Sequence, residues 1–199
     1  WHLVRREELS NHMETILDVL EKKFSYPMFV KPAGTGSSVG VTKARDRQSL
    51  EQALHHAAKY DHKILVEEFI CGKEVEVAVM GNGNPVASIC GEIDSGADFY
   101  DYDAKYVTDT SVAYVPARIS PETAEIVRDA AVRVYCAIGA QGLSRVDFFV
   151  TAEEDVVFNE INTLPGFTSI SMYPKLFDAS GIPYGELIDS LIKLASEAN

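Results

Sequence analysis

Three oxygen-bearing side chains near the end of the chain could bind a divalent cation: Asp147, Glu160 and Asn162. Glu160 and Asn162 stand two residues apart in a predicted strand, so they share one face, and the preceding strand of the same hairpin brings Asp147 opposite them. Carboxylate and amide oxygens are the hard donors that Mg²⁺ prefers. The alternative is a solvated hairpin face with ordinary surface carboxylates. Arg145 and the segment 166–169, Gly-Phe-Thr-Ser, favour the cation site.

The segment 31–40, Lys-Pro-Ala-Gly-Thr-Gly-Ser-Ser-Val-Gly, is a candidate phosphate-binding loop. Its small residues leave backbone amides and serine hydroxyls accessible to an anion. It differs from the GxxxxGK(S/T) and GxGxxG patterns because no helix follows at once, so we expect a hairpin flap that covers the phosphates. A flexible turn without a ligand is the alternative, and this motif alone does not decide between the two.

The segment 99–106, Phe-Tyr-Asp-Tyr-Asp-Ala-Lys-Tyr, places a cation and three tyrosines in a long polar stretch. Long loops of this kind are usually lids or disordered, and the aromatic side chains favour a lid. Lys105 could then bring positive charge to transferring phosphate oxygens while the lid excludes water.

Around these motifs, the hydrophobic pattern predicts helices alternating with antiparallel hairpins. The predicted helices lie between residues 10 and 24, between 50 and 58, from 121 to just before 139, and from 183 to 195; the predicted strands cover 28–31, 41–44, 63–67, 74–80, 86–93, 143–150 and 156–161. Because this order lacks a regular βαβ alternation, we predict an α+β fold of two units rather than one parallel doubly wound sheet. We expect the units to meet near Glu67, as 1–68 and 69–199.

The composition argues against several classes of function. With 30 acidic against 18 basic residues, the formal charge is −12, which disfavours nucleic acid as a partner because phosphate-backbone binding needs clustered Lys and Arg. No apolar run approaches the roughly 20 residues that cross a bilayer, so we expect no membrane partner and a cytoplasmic location. Cys71, Cys90 and Cys136 form no CxxC pair, and we predict that all three are buried thiols without a metal role.

Four segments in register resemble the D-alanine–D-alanine ligases: 26–40, 66–70 (Val-Glu-Glu-Phe-Ile), 100–106 and 159–169 (Asn-Glu-Ile-Asn-Thr-Leu-Pro-Gly-Phe-Thr-Ser). The resemblance extends over residues 26–194. It implies the Mg-ATP-binding, catalytic part of such an enzyme without its N-terminal domain. It also implies an ATP-grasp fold, in which two α+β subdomains clamp a nucleotide between antiparallel sheets. Residues 1–68 would form the smaller subdomain with the flap, and 69–199 the larger one with the lid and the Mg²⁺ site.

By the same resemblance, individual positions take on expected roles. The residues expected at the nucleotide are Lys31, Ser38, Glu67, Phe69, Ile70, Glu74 and Lys105. Those expected to hold two Mg²⁺ ions, with Mn²⁺ as a substitute, are Asp147, Glu160 and Asn162. The expected catalytic groups are the oxyanion donors Arg145 and Gly166 N–H, the γ-phosphate contact Lys105, and Tyr106 with Ser37, which help to close the site around the first substrate. Ser171 and Met172 would line the second amino-acid site.

The implied reaction joins two D-alanines at the expense of ATP, for peptidoglycan precursor synthesis and cell-wall biogenesis. The first D-alanine carboxylate attacks the γ-phosphorus to give an acyl phosphate, and the amine of the second D-alanine then attacks the acyl carbon. D-Lactate or D-serine as second substrate, another carboxylate–amine ligase and a non-catalytic ATP-grasp module are the alternatives. We expect no dipeptide from the isolated chain, because the first-substrate site would be incomplete; for the full-length enzyme, a homodimer stays open.

Overall fold

The computed structural model describes residues 1–94, 112–168 and 170–197. The chain divides into two units, one made of Trp1–Ile70 and the other of Cys71–Asp94 with Val112–Asn199. Each unit contains one antiparallel sheet with helices packed against it, so the α+β prediction is confirmed. The division falls between Ile70 and Cys71, two residues after the boundary expected from the sequence.

The first unit is a four-stranded sheet in the order β1-β4-β2-β3. Its elements are β1 (His2–Arg5), a 3-10 turn (Arg6–Glu8), α1 (Leu9–Lys23), β2 (Met28–Pro32), β3 (Thr42–Ala44), α2 (Arg47–Ala57) and β4 (Lys63–Glu68). Alternation along β2 buries Met28 and Val30 in the core that both helices share, and leaves Phe29 and Lys31 on the opposite face. Asp46 caps α2 by accepting a 2.8 Å hydrogen bond from the backbone N–H of Ser49.

The second unit is a five-stranded antiparallel sheet in the order β7-β6-β5-β8-β9. Its elements are β5 (Lys73–Gly81), β6 (Val86–Asp94), β7 (Val112–Tyr114), α3 (Pro121–Ala137), β8 (Gly142–Val150), β9 (Val156–Asn162), α4 (Met172–Ala179) and α5 (Tyr184–Glu197). Ser120 caps α3 and Pro121 occupies its first turn, as the sequence predicts, because the first helical N–H groups need no partner within the helix.

Both faces of the second sheet carry apolar clusters. Val75, Val77 and Val79 of β5 pack in the core under α3. On the opposite face, Ala78 and Met80 pack in the core that α4 and α5 share. Glu74 and Glu76 follow the same alternation as Ala78 and Met80, so the end of that face that carries them is polar.

Four short elements were not predicted from the sequence: β1, the 3-10 turn, β7 and α4. β1 and β7 are only four and three residues long, too short for a periodic pattern. α4 contains Pro174, which suggests a loop, but this proline lies in the first turn, where it is compatible with a helix. Among the described residues, no helix is long and apolar enough to cross a membrane.

The prediction that all three cysteines are buried is wrong for two of them. Cys90 is buried in the core under α3, whereas Cys71 and Cys136 are exposed. Cys71 lies in the connection between β4 and β5, and Cys136 lies in the last turn of α3 beside the exposed Ala137 and Ile138. Apolar neighbours in the sequence therefore did not imply burial at either position.

The three thiols should differ in their reactivity toward an alkylating reagent. Burial raises the pKa of the Cys90 thiol to about 12, so at pH 8 it holds almost no thiolate, the reactive form. We expect iodoacetamide at pH 8 to modify Cys71 and Cys136 in the native protein and Cys90 only after unfolding, as measured by peptide mass spectrometry. Equal labelling of all three before unfolding would contradict the buried position of Cys90.

Candidate functional site

A row of three carboxylates crosses the polar end of one face of the second sheet. Asp147 on β8 lies directly opposite Glu160 on β9 and directly opposite Glu76 on β5. Residues that are opposite in antiparallel strands share a face, and neighbouring strands are about 4.8 Å apart. Two residues further along each strand, on the same face, Asn162 is opposite Arg145. The structure thus brings Asp147, Glu160 and Asn162 to one face.

A bulge in β9 places Glu160 in this row. The pairing shifts between Asp147 and Phe148, so that Phe148 is opposite Phe158 and Asn159 becomes the extra residue. Phe158 consequently lies beside Phe148, with 6.0 Å between the ring centroids, on the opposite face from Glu160. The usual rule that residues two apart share a face fails for 158 and 160 but holds for Glu160 and Asn162.

Arg145 is the cation within the carboxylate row. Its Nε donates to Asp147 Oδ1 at 2.8 Å and its Nη2 donates to Asp147 Oδ2 at 2.7 Å, a bidentate pair. The same Nε lies 3.3 Å from Glu76 Oε2. The three side chains are only 21%, 12% and 14% exposed for Arg145, Asp147 and Glu76, so these interactions are poorly screened by water.

The charges around Arg145 keep it protonated. Burial alone would lower the pKa of the Arg145 guanidinium, but the hydrogen bonds to Asp147 and the negative charges of Asp147, Glu76 and Glu160 raise that pKa above its ordinary value. Among the described residues, one guanidinium faces three carboxylates in the row, so their combined charge is negative and attracts a further cation.

The donor set fits a magnesium ion that is only partly bound by protein. A carboxylate has about four lone-pair sites, and the Arg145 pair uses two of those on Asp147, which leaves others for a metal. Asn162 Oδ1 accepts from the Leu164 N–H at 3.1 Å, which fixes the orientation of that amide. In the part of the chain that the structure describes, no three His, Cys, Asp or Glu side chains form a ready metal-binding group. An incomplete set of oxygens suits Mg²⁺, which keeps waters and is completed by substrate phosphates.

A second polar and aromatic face lies on the first sheet, opposite its helices. Lys31 Nζ is 2.9 Å from Glu67 Oε2. Phe69, just after β4, has its ring 6.0 Å from Phe29 and only 4.2 Å from Lys43 Nζ, a cation–π distance. This face therefore offers a charged pair beside an aromatic platform, and Ile70 next to Phe69 is half-buried.

The glycine-rich flap is a tight turn with unusual backbone angles. Ser37 and Ser38 both have positive φ, 53° and 58°, between Gly36 and Val39, whose N–H donates to Gly36 O at 3.1 Å. Two central residues with positive φ match the geometry of a type I′ turn, which L-residues other than Asn or Asp rarely adopt. Strain of this kind often persists where the backbone serves a ligand.

One carboxylate fixes the first part of the flap to β4. Asp61 Oδ2 accepts from the Gly34 N–H at 2.7 Å, while its Oδ1 accepts from the Lys63 N–H at 3.0 Å. A Cβ at Gly34 would lie 2.8 Å from Asp61 Oδ2, so glycine is needed for this approach. Hydrogen bonds from the backbone N–H groups of Lys63 and Gly34 hold the pKa of Asp61 below its ordinary value, so Asp61 stays ionised as an acceptor.

The loop before α4 is held together by its own hydroxyls. Ser171 Oγ accepts from the Thr168 N–H at 3.0 Å and also bonds the Thr168 hydroxyl. A Cβ at Gly166 would lie 2.8 Å from Ser171 Oγ, so this exposed glycine approaches Ser171 closely. Met172 is only 6% exposed and lies over Gly91, so most of its side chain serves the core.

The remaining predicted positions divide into two groups. Glu74 is half-buried on β5, on the same face as the carboxylate row and opposite Phe149. Lys105 and Tyr106, with the predicted lid, lie outside the described residues.

Sequence reasoning overlooked three residues of these two faces: Glu76, Lys43 and Asp61. Glu76 could have been found, because the order Glu74-Val-Glu76-Val puts both glutamates on one strand face. Lys43 and Asp61 have no comparable signal, since each acts on residues far from it in the sequence.

Comparison with known proteins identifies the family of the chain. A family model described as D-ala D-ala ligase C-terminus matches residues 1–193. The D-alanine–D-alanine ligase of Acetivibrio thermocellus is 56% identical over 191 residues, 96% of this chain and 51% of the relative. That of Ruminiclostridium cellulolyticum is 57% identical over 195 residues, 96% and 52% of the two chains. The chain thus spans about half the length of these curated relatives.

Solved structures show the same likeness. The VanG D-Ala:D-Ser ligase from Enterococcus faecalis matches with a TM-score of 0.85 and 40% identity, over 96% of this chain and 55% of that one. The D-alanine–D-alanine ligase from Coxiella burnetii matches with a TM-score of 0.81 and 34% identity, over 100% and 51% of the two chains.

The strained flap turn supports a prediction at Ser38. A β-branched residue is disfavoured at positive φ by about 1–2 kcal/mol, so Ser38→Val should open the turn more often. We expect roughly 10-fold faster hydrogen exchange at the Val39 and Val41 N–H groups, which bond to Gly36 O and Ser38 O. The control Ser38→Gly, which accepts positive φ, should change these rates less than about threefold. Exchange in Ser38→Val as slow as in the unchanged protein would contradict the turn.

Proposed function

Because this chain belongs to the D-alanine–D-alanine ligase C-terminus family, we propose that the longer protein it represents joins two D-alanines, with ATP cleaved to ADP and phosphate. The chain has the ATP-grasp fold of its structural neighbours. The observation that carries the proposal is the carboxylate row of Glu76, Asp147 and Glu160 with Arg145 inside it. Such a row fits phosphoryl transfer, where charge neutralisation matters more than acid–base chemistry.

In the first step, a carboxylate oxygen of one D-alanine forms a bond to the γ-phosphorus as the bond to the bridging oxygen of ADP breaks. We assign Asp147, Glu160 and Asn162 to two Mg²⁺ ions, or Mn²⁺ in their place. Bound there, the ions would neutralise the phosphate oxygens. Asp147 and Glu160 supply negative charge from adjacent strands, and Asn162 supplies an amide oxygen fixed by Leu164.

In the second step, the amine of the other D-alanine attacks the acyl carbon, phosphate leaves with the electron pair of the broken C–O bond, and the amine loses a proton. Negative charge develops on the acyl oxygen in between. We assign Arg145 and the Gly166 N–H as donors to that oxygen, a role worth a few kcal/mol per donor. Arg145 suits it because its protonation is secure and its orientation is fixed by Asp147. Ser171 and the exposed edge of Met172 are assigned to the second amino acid.

We assign the polar and aromatic face of the first sheet to the nucleotide. Lys31 would contact phosphate and adenine, the chain from Glu67 to Ile70 would contact adenine, and Glu74 would hold the ribose. The flap hydroxyl and amides of Ser38 would contact phosphate, with Ser37 near the first substrate. The positive φ values at both serines support a backbone shaped for an anion.

Further features of the longer protein are proposed with this assignment. The units on either side of Ile70 correspond to the smaller and larger ATP-grasp subdomains, and Lys105 and Tyr106 act on the γ-phosphate and the first substrate. We also propose a cytoplasmic location, and a homodimer for the longer protein. We expect no dipeptide formation by these 199 residues alone; turnover by them would contradict that.

D-Serine as second substrate is the second candidate. It is favoured by the 0.85 TM-score to a D-Ala:D-Ser ligase, whereas the 56–57% identical relatives are named D-alanine–D-alanine ligases. A single pocket residue discriminates between two substrates by only about 1–3 kcal/mol, so small changes near Met172 can switch the preference between D-alanine and D-serine.

Substitution of the carboxylate row tests the assignment. In the full-length protein, Glu160→Gln or Asp147→Asn should lower D-alanine-dependent phosphate release by about 100-fold or more, because each removes one charge from the metal-binding set. Glu153→Gln, an exposed carboxylate in the turn between β8 and β9, is the matched control and should leave the rate unchanged. Wild-type rates in Glu160→Gln and Asp147→Asn would contradict the assignment of these carboxylates to the metal ions, and absence of D-alanine-dependent phosphate release from the unchanged protein would favour a nucleotide-binding module without catalysis.

The second substrate is tested with the unchanged full-length protein. With a limiting amount of D-alanine as the first substrate, D-alanine, D-serine and D-lactate are offered in turn, and the products are separated by mass. We expect D-alanyl-D-alanine as the dominant product at neutral pH. Preferential formation of D-alanyl-D-serine would replace the first candidate by the second.

A further inference from the structure

We propose that Glu76 is a positioning residue for Arg145, holding the guanidinium in place when Asp147 engages a divalent cation. The inference rests on the proposed function and adds to it a residue that no sequence motif indicated. Glu76 is not assigned to substrate or metal; it acts through Arg145.

The geometry places Glu76 where a second anchor is needed. It is opposite Asp147 on the adjoining strand, and its Oε2 lies 3.3 Å from Arg145 Nε. The residue opposite Arg145 itself is Ala78, whose small side chain leaves room for the guanidinium to extend along the sheet toward both carboxylates. Because only 14% of the Glu76 side chain is exposed, water competes weakly with Glu76 for the contact with Arg145.

Both carboxylates act on the same edge of the guanidinium. Asp147 bonds Nε and Nη2, and Glu76 approaches Nε. Among the described residues, Arg145 Nη1 has no hydrogen-bond partner, so the edge that carries Nη1 is available to a developing oxyanion. Because Asp147 and Glu76 both hold the edge that carries Nε, the edge that carries Nη1 points in a fixed direction.

The second anchor matters because Asp147 has two tasks. Its oxygens accept from Arg145 and are also assigned to a divalent cation, which would withdraw electron density and weaken the hydrogen bonds that Asp147 accepts from Arg145. The Nε–H donates to Asp147 Oδ1, and Nε lies 3.3 Å from Glu76 Oε2, so this N–H can turn toward Glu76 as Asp147 turns to the cation. Arg145 then keeps its orientation between the two steps of the reaction.

Two other roles for Glu76 make different predictions. If its charge merely attracts the cation, then Gln and Met at position 76 should be equally harmful, since both are neutral. If it positions Arg145, Gln should be the milder change because its amide oxygen can accept from the Nε–H once Asp147 turns to the cation, whereas Met fills the same space without an acceptor. The ranking of the two variants therefore separates charge from hydrogen bonding.

The kinetic test uses the full-length protein and measures phosphate release and dipeptide formation. We expect Glu76→Gln to lower kcat about fivefold and Glu76→Met about 50-fold, with KM for ATP and the Mg²⁺ concentration for half-maximal rate both within about twofold. In an Arg145→Lys background, Glu76→Met should cost less than about threefold, because residues that act through one another are not additive. Equal effects of Gln and Met, a raised Mg²⁺ requirement, or an undiminished loss in the Lys background would each overturn the proposal.

A spectroscopic arm does not depend on turnover. The Arg145 Nε–H resonance of the full-length protein is identified by its loss in Arg145→Lys, and its exchange with water is followed as Mg²⁺ is added. We expect slow exchange throughout in the wild type and in Glu153→Gln, and acceleration of about 10-fold or more with Mg²⁺ in Glu76→Met. Identical exchange in wild type and Glu76→Met would overturn the proposal. Absence of ligase activity in the wild type would instead refute the proposed function, while this arm still reports on Glu76 and Arg145.

Discussion

The interaction on which the candidate site depends is the bidentate pair of Arg145 and Asp147, set among two further carboxylates. Three like charges on neighbouring strands repel one another, and the repulsion is poorly screened because Arg145, Asp147 and Glu76 are largely buried. One guanidinium reduces that repulsion without abolishing it. The row is therefore stable enough to fold and still negative enough to attract a cation, which is the balance that a metal-assisted phosphoryl-transfer site needs.

The strands of the second unit keep this row in register. α4 and α5 pack on the face at Ala78 and Met80, and the other end of that face carries Glu74 and Glu76. The bulge at Asn159 allows Phe158 to join the aromatic contact with Phe148 while Glu160 faces Asp147. The strands β8 and β9 thus contribute residues both to the core on one face and to the carboxylate row on the other. In the first unit, the flap depends on a different device, the positive φ angles of Ser37 and Ser38.

Much of this arrangement could be predicted from local patterns. Pro121 and Ser120 marked the start of α3, alternation identified the hairpin strands, and two-residue spacing placed Glu160 and Asn162 together. What could not be predicted depends on contacts distant in sequence. The bulge at Asn159 accompanies the contact between Phe158 and Phe148. Asp61 bonds Gly34, which lies 27 positions away in the sequence. The exposure of Cys71 and Cys136 depends on where the chain turns and on which helix face is covered. Glu76 was missed for another reason: its strand position was readable, but its partner Arg145 was known only once the register of β5 and β8 was seen.

The central claim is that Asp147, Glu160 and Asn162 bind the divalent cations that accompany the nucleotide. Anomalous diffraction at the manganese edge, from crystals of the full-length protein grown with Mn²⁺ and a non-hydrolysable ATP analogue, tests it most directly. The account predicts manganese peaks within about 2.5 Å of oxygens from these three side chains and of the analogue's phosphates. Manganese bound to the phosphates away from all three side chains would contradict it.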